Sequence, residues 1–397
     1  MKSVILRKTL VRAAAFVLLI FLLAPDGGAF ASNPMESVVR EQAERISSGE
    51  IEAQWNKLMK EYGSYFSGNG PPSVAEMIMN GSDRFSLAAV AGALLKFLLH
   101  EVLVNGKLLA SIVLLTVFSM ILETVQSAFE RNTVSKIAYS ICYMVLLLIA
   151  VNSFSVAVGY AKSAISGMID FMIAMVPVML TILAAMGNIT TVAVMHPLIV
   201  FMIHTVGTFI YTVVFPLLFF SAVLHIVSSL SDKYKVTQLA NLLRSVSVTA
   251  LGIIMAVFLG VISVRGWTGA AADGLTIRTA KYITGNFIPV VGKMFSDAAD
   301  TVAGASLLVK NTVGLAGVVI IVLLCLFPAI KIITLAMIYN FAAAVMQPLG
   351  GNPIIGCLQT IGKSLIYVFA AVASVGLMFF LAVTIIIAAG NVSVMMR

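Results

Sequence analysis

Charge is what this chain has least of. Of its 397 residues only 11% are Asp, Glu, Lys or Arg, and 60% are hydrophobic; a soluble globular protein carries roughly 25% charged residues. A water-soluble fold of this length could not cover its surface with so few charges, and the mean hydropathy of +1.05 makes lipid the solvent for much of it. Cysteine is scarce too. Cys142, Cys325 and Cys357 lie in or beside apolar runs, with neither metal-ligand spacing nor a disulfide framework. The formal net charge is +8, but in a membrane protein Lys and Arg act chiefly as topology signals, so no nucleic-acid partner follows.

What is present is a series of apolar runs near ~20 residues, the length of helix that crosses a ~30 Å hydrocarbon core. Gly and Pro occur freely within them, which suits helices and not the alternating pattern of a β-barrel. Residues 1–31 have the form of a cleaved signal peptide, with an uncleaved signal anchor as the alternative; either places the following segment outside the cytoplasm. Lys2, Arg7, Lys8 and Arg12 form a basic region, Ala13 to Ala24 an apolar one, and Ala29-Phe30-Ala31 a cleavage site. The segment 32–86 is polar with an acidic excess, as expected of an extracytoplasmic piece. Within it Trp55, Leu58, Met59 and Tyr62 share one helical stripe, predicting an amphipathic helix over 50–66 that ends at Gly68 to Pro72. That stripe suits the membrane surface, a partner, or the protein's own membrane domain.

Residues 87–107 read as an interfacial helix, because Lys96, His100 and Glu101 would be costly at mid-span. The polytopic domain occupies 108–397. Its spans are expected near 108–126, 137–158, 168–187, 240–264, 314–338 and 364–390, with a longer run at 193–230 interrupted by Pro197 and Pro216. If that run crosses once, the fold is an all-α polytopic membrane protein of about seven transmembrane helices, within a range of six to eight. Loops 127–136 and 265–313 would then be cytoplasmic, carrying Arg131, Lys136, Arg265, Arg278 and Lys281 among others. Two crossings would move the second loop outside, and the positive-inside rule favours one. Gly252, Ala256 and Gly260 recur every four residues, a helix-packing pattern within the chain or between subunits.

Several catalytic motifs fail on spacing. Gly356 to Ser364 resembles a phosphate-binding loop but has one residue too many between its glycines and no preceding strand. His100-Glu101 begins like a zinc-protease helix, yet Val104 stands where the second ligand belongs. Gly304-Ala305-Ser306-Leu307 has the form of an intramembrane serine nucleophile, but no histidine follows it; the last is His225. His196, His204 and His225 lie in the long apolar run, where helix–helix hydrogen bonding competes with a proton relay. Asp170, Glu123 and Lys331 are intramembrane charges within snorkelling reach of an interface. No catalytic, metal or cofactor site emerges.

The densest polar block is 265–313. Arg278 and Lys281 stand one turn apart, Gly285-Asn286 and Pro289 break the helix, and a second helix starts near Gly292. On it Lys293, Asp297 and Asp300 share a face beside a small-residue stripe of Ala299, Ala303 and Ser306. This pattern of helix, break and helix is either a solvated cytoplasmic hairpin held by local ion pairs or a docking or pore-lining surface.

Long strings carry a family resemblance: HEVLVNGKLLASIVLLTVFSMIL (100–122), NTVSKIAYSICYMVLLLIAVNSF (132–154), YKVTQLANLLRSVSV (234–248), DGLTIRTAKYITGNFIPVVGKMFSDAADTV (273–302), FPAIK (327–331) and QPLGG (347–351). In these the chain resembles the stage III sporulation protein AE family of endospore-forming bacteria. The resemblance implies a multi-pass protein of the mother-cell membrane surrounding the engulfed forespore. It implies partners among the other stage III sporulation proteins, including a secretion-type ATPase, and indirectly a forespore membrane protein. The complex so formed is a channel or secretion-like assembly that maintains the forespore and supports late forespore-specific transcription. The family has no established catalytic residues to carry over. The residues taken alone also admit a self-contained small-solute transporter, whose helix breaks fit but whose internal repeat is not evident, and a scaffold that conducts nothing.

Overall fold

The computed structural model describes residues 49–66, 73, 74, 76, 77, 87–128, 133–230, 235–287, 291–349 and 353–395. The signal-like segment 1–31 lies outside them. All regular structure among the described residues is helical. In chain order the helices are α1 (Glu50–Tyr62), α2 (Leu87–Val104), α3 (Gly106–Ala128), α4 (Thr133–Ala185) and α5 (Ile189–Phe209). After a π-helical segment (Ile210–Val214) come α6 (Phe215–Leu230), α7 (Thr237–Phe287), α8 (Val291–Met346) and α9 (Pro353–Met395). Six stretches are long and apolar enough to cross a membrane, from α3, α4, α5 with α6, α7, α8 and α9.

The helices are far longer than the apolar runs predicted. Residues 137–158 and 168–187 form one rod, the 53-residue α4. Nothing between them breaks a helix: Gly159 and Gly167 cost about 1 kcal/mol each relative to Ala, and the charges at Lys162 and Asp170 are exposed on its surface. Likewise 265–287 is no loop but the continuation of α7 beyond the expected end at 264, and 291–313 is the first part of α8. The end of α7 at Phe287 and the start of α8 at Val291 stand where the sequence puts them. The run 193–230 takes one path. Pro216 cannot donate a backbone hydrogen bond, and the π turn just before it shifts the pairing register so that the helix continues. The count is six, within the expected six to eight, and the helices are longer than the spans read from hydropathy.

This changes the topology. Connections α3–α4 and α6–α7 leave from one end of the bundle, and connection α7–α8 from the other. Loops 127–136 and 265–313 thus do not share a side when each helix runs the length of the bundle. The turn between α4 and α5 is built by Gly187, whose φ of 86° lies in the left-handed region. Its N–H reaches Ala184 O at 2.8 Å, and Asn188 N–H reaches Leu183 O at 3.2 Å, a glycine cap that satisfies the last carbonyls of α4.

Helices α8 and α9 pack most closely, with α4 against both, α5 and α6 between α4 and α7, and α3 outside α4 and α8. The core follows these contacts: Phe258, Phe327, Phe379, Tyr339 and Ile165 are all fully buried. Tyr339 Oη donates to Ser153 Oγ at 2.8 Å, tying α8 to α4.

Candidate functional site

The sequence directs attention to the polar block. Arg278 is exposed on α7. Lys281, Lys293, Asp297 and Asp300 lie on the backbone of α7 and α8, but their side chains fall outside the described residues. Ala303 and Ser306 are buried, so the small-residue stripe of α8 turns into the bundle there. Gly252, Ala256 and Gly260 are exposed, and no atom of another element approaches within 4 Å of a Cβ placed at either glycine.

Just inside this block are two buried charges that the spacing did not single out. Asp273 on α7 is 3% exposed. Its Oδ2 accepts from Thr191 N–H at 2.8 Å and from Thr191 Oγ1 at 2.5 Å. Thr191 lies in the first turn of α5, where backbone N–H groups lack helical partners and the helix dipole favours an anion. The carboxylate of α7 thus caps α5 from a neighbouring helix. Gly269 makes this approach feasible, since a Cβ there would stand 2.7 Å from Thr191 Oγ1.

Lys310 on α8 is completely buried. Its Nζ donates to Ile387 O and to Asn391 Oδ1 of α9, both at 2.8 Å, and meets no carboxylate among the described residues. An ammonium in such surroundings is expensive unless it is hydrogen-bonded, and is a functional suspect by default. Leu183 and Lys310 both border Gly390, which places Lys310 next to the α4–α5 turn. Around this end of the bundle the buried Asn188 Oδ1, Asn311 Oδ1 and Ser393 Oγ have no hydrogen-bond partner. The arrangement is a polar layer across α4, α5, α7, α8 and α9.

A second polar site lies halfway along the bundle. Amphipathic helix α1 rests on α4 and α8 with Ile51, Trp55, Leu58 and Tyr62 buried, so its apolar stripe covers the protein's own helices. The Tyr62 ring stacks on Phe327 at 4.1 Å and meets Phe97 of α2 edge-on at 5.4 Å. Lys331 Nζ pairs with Glu61 Oε1 at 3.2 Å and stands 5.3 Å from the rings of both Tyr62 and Tyr160, a cation–π setting. A cleft of about 260 Å³ opens here, lined by Gln54, Lys57, Glu61, Ser163 and Lys331 among others. Burial holds the Glu52 carboxyl of α1 above its ordinary value, partly offset by a backbone hydrogen bond from Val74. Burial, with Glu61 beside it, likewise raises the Tyr62 phenol.

His225 belongs to helix packing. Its Nδ1 is 2.8 Å from Ser221 O and its Nε2 3.1 Å from Asn241 Oδ1 of α7. The Arg244 guanidinium lies against the imidazole and over Tyr367 of α9 at 4.8 Å. His196 and His204 are exposed on α5 and are not brought near it. The three cysteines are free, and among the described residues no three His, Cys, Asp or Glu side chains gather as a metal site would require.

Residues 71–390 match the family model described as Stage III sporulation protein AE. Over 362 residues the chain is 51% identical to the Stage III sporulation protein AE of Bacillus subtilis (strain 168), covering 91% of this chain and 90% of that one. No solved structure matches.

Proposed function

Since the chain belongs to the stage III sporulation protein AE family, we propose that it is a non-enzymatic, multi-pass component of a channel or secretion-like complex between mother cell and forespore. It sits in the mother-cell membrane around the forespore and works with other stage III sporulation proteins, a secretion-type ATPase supplying the energy. The observation that carries this reading is the match along almost the full chain to a sporulation protein, joined to six apolar helices of membrane-spanning length. The polar block of Arg278, Lys281, Lys293, Asp297 and Asp300, at the end where α7 gives way to α8, is the docking or pore-lining surface of this reading.

Deletion in the native spore-former tests it. Engulfment followed by small, collapsing forespores and a silent late forespore reporter is the expected result; normal spores would overturn the reading. Replacing Arg278 and Lys281 together by Ala should lower spore yield while the protein stays in the membrane. Undiminished yield would remove the block from the proposal.

A further inference from the structure

The long helices outrun any bilayer. At ~1.5 Å per residue α4 and α8 measure roughly 80 Å, against a hydrocarbon core of ~30 Å. Lipid therefore covers less than half of their length, although both halves are apolar in sequence.

Three observations decide which half. The first is α1. Asn56, Lys57, Lys60 and Glu61 are exposed on its outer face, a face that hydrocarbon does not accept. Yet α1 docks at the midpoints of the rods, against Tyr160 to Gly167 of α4 and Leu324 to Lys331 of α8. Water therefore reaches the middle of the bundle. The second is α3, whose apolar stretch Gly106–Val125 is 20 residues, or ~30 Å, a bilayer with no length to spare. It joins the start of α4 by a short connection and packs on α4 and α8, so it lies beside the half of α4 that precedes Tyr160.

The third is the surface. Around the α3 half Leu114, Phe118, Met144, Leu148, Phe220 and Phe341 are exposed, with the uncharged Asn152, Ser155, Asn241 and Ser245 among them. In the other half, Asp170, His196, His204, Thr205, Thr208 and Arg265 are exposed between the apolar ones. Lys363 is exposed in the α3 half, but it follows Gly362, which abuts Asn340. Asn340 is only ~14 Å along α8 from Lys331, a gap that snorkelling shortens.

We propose that the bilayer encloses only the α3 half, about 137–158, 213–228, 239–253, 332–346 and 354–372. The remaining half, about 170–209, 262–325 and 376–395, stands outside the hydrocarbon with the Asp273–Lys310 layer toward its far end. The lipid-binding surface is thus one half of what sequence hydropathy assigns to membrane.

The two tryptophans supply the test. Trp55 is buried and Trp267, at 56% exposure, lies in the projecting half. The full chain carrying Trp55→Phe, leaving Trp267 as sole reporter, is placed in liposomes whose phosphatidylcholine acyl chains are brominated. A second chain with Trp55→Phe, Trp267→Phe and Leu148→Trp reports on the α3 half. Bromolipid should extinguish most emission at position 148 and leave that of Trp267 nearly unchanged. Quenching of Trp267, or an unquenched reporter at 148, would overturn the proposal. If removing Trp55 unfolds α1, single cysteines at Phe201 and Met144 in a chain without its native cysteines serve instead. A water-soluble maleimide should label position 201 and spare 144, and labelling at 144 without 201 would overturn it equally.

Discussion

Gly390 and Lys310 fit each other: a methyl group added at Gly390 would overlap Lys310 Nζ and stand 2.9 Å from Leu183 Cδ1. Helix α9 can approach α8 at this level only because that position carries no side chain. Gly390→Ala should therefore destabilise the protein by about 1–3 kcal/mol through overpacking, read as a lower melting temperature in detergent. Lys310→Met should behave differently. Met removes the cost of desolvating the ammonium but leaves Asn391 Oδ1 without its donor; the two effects oppose each other, so the protein should still accumulate. If spore yield still falls, the ammonium itself is needed; unchanged yield would make Lys310 a packing element.

Asp273 and Thr191 should act as one unit. Asp273→Asn keeps the shape but loses the anion at the start of α5, and Thr191→Val removes one of its two donors. Each should cost roughly 1–3 kcal/mol, and the double variant less than the sum, since both break the same contact. A cycle of thermal unfolding measurements checks this, and strict additivity would mean the two residues contribute separately.

Docking of α1 should depend on rings more than on the ion pair. Glu61 is 56% exposed in its pair with Lys331, so Glu61→Gln should change docking by under about 1 kcal/mol. Tyr62→Ala leaves a cavity against Phe97 and Phe327 and should cost about 3 kcal/mol. Limited proteolysis within residues 50–62 should accelerate markedly in the second variant and barely in the first.

The same helix should respond to pH through Glu52. Burial raises its carboxyl above the ordinary value when α1 is docked, so the docked state binds the proton more readily than the released one. The stabilisation is fully present below the ordinary Glu range and is lost as pH rises through the raised value. In a Trp267→Phe chain, emission from Trp55 should shift to the blue on acidification across that window. Glu52→Gln should abolish the shift; a shift that survives would assign it to another group.

The sequence was most legible where periodicity or a breaker speaks. The stripe of Trp55, Leu58 and Tyr62 foretold α1, and Pro289 with Gly285-Asn286 foretold the end of α7 at Phe287. It was least legible where hydropathy dips without a breaker. Lys162 read as part of a loop between two spans, but a helix needs no apolar residue on its outward face to continue. Pro216 left the crossing of 193–230 open because the π turn that accommodates it depends on register, which composition does not encode. Asp273 and Lys310 were visible as charges, but their partners lie 82 and 81 residues away in Thr191 and Asn391. Glycines 269 and 390, which make room for them, resemble any others in a membrane helix.

The unbroken rods have a mechanical consequence. With α7 and α9 each a single helix of more than 40 residues and free of internal proline, a tilt or twist imposed at one end is delivered to the other without an intervening hinge, as in a pair of parallel levers. The compliant joints are local among the described residues: the π turn at 210–214, Pro177 of α4, Pro197 of α5 and Pro328 of α8. Pro328 is one turn from Lys331, where α1 is fastened. A pull on α1 would therefore load the bundle close to one of the points where it can bend.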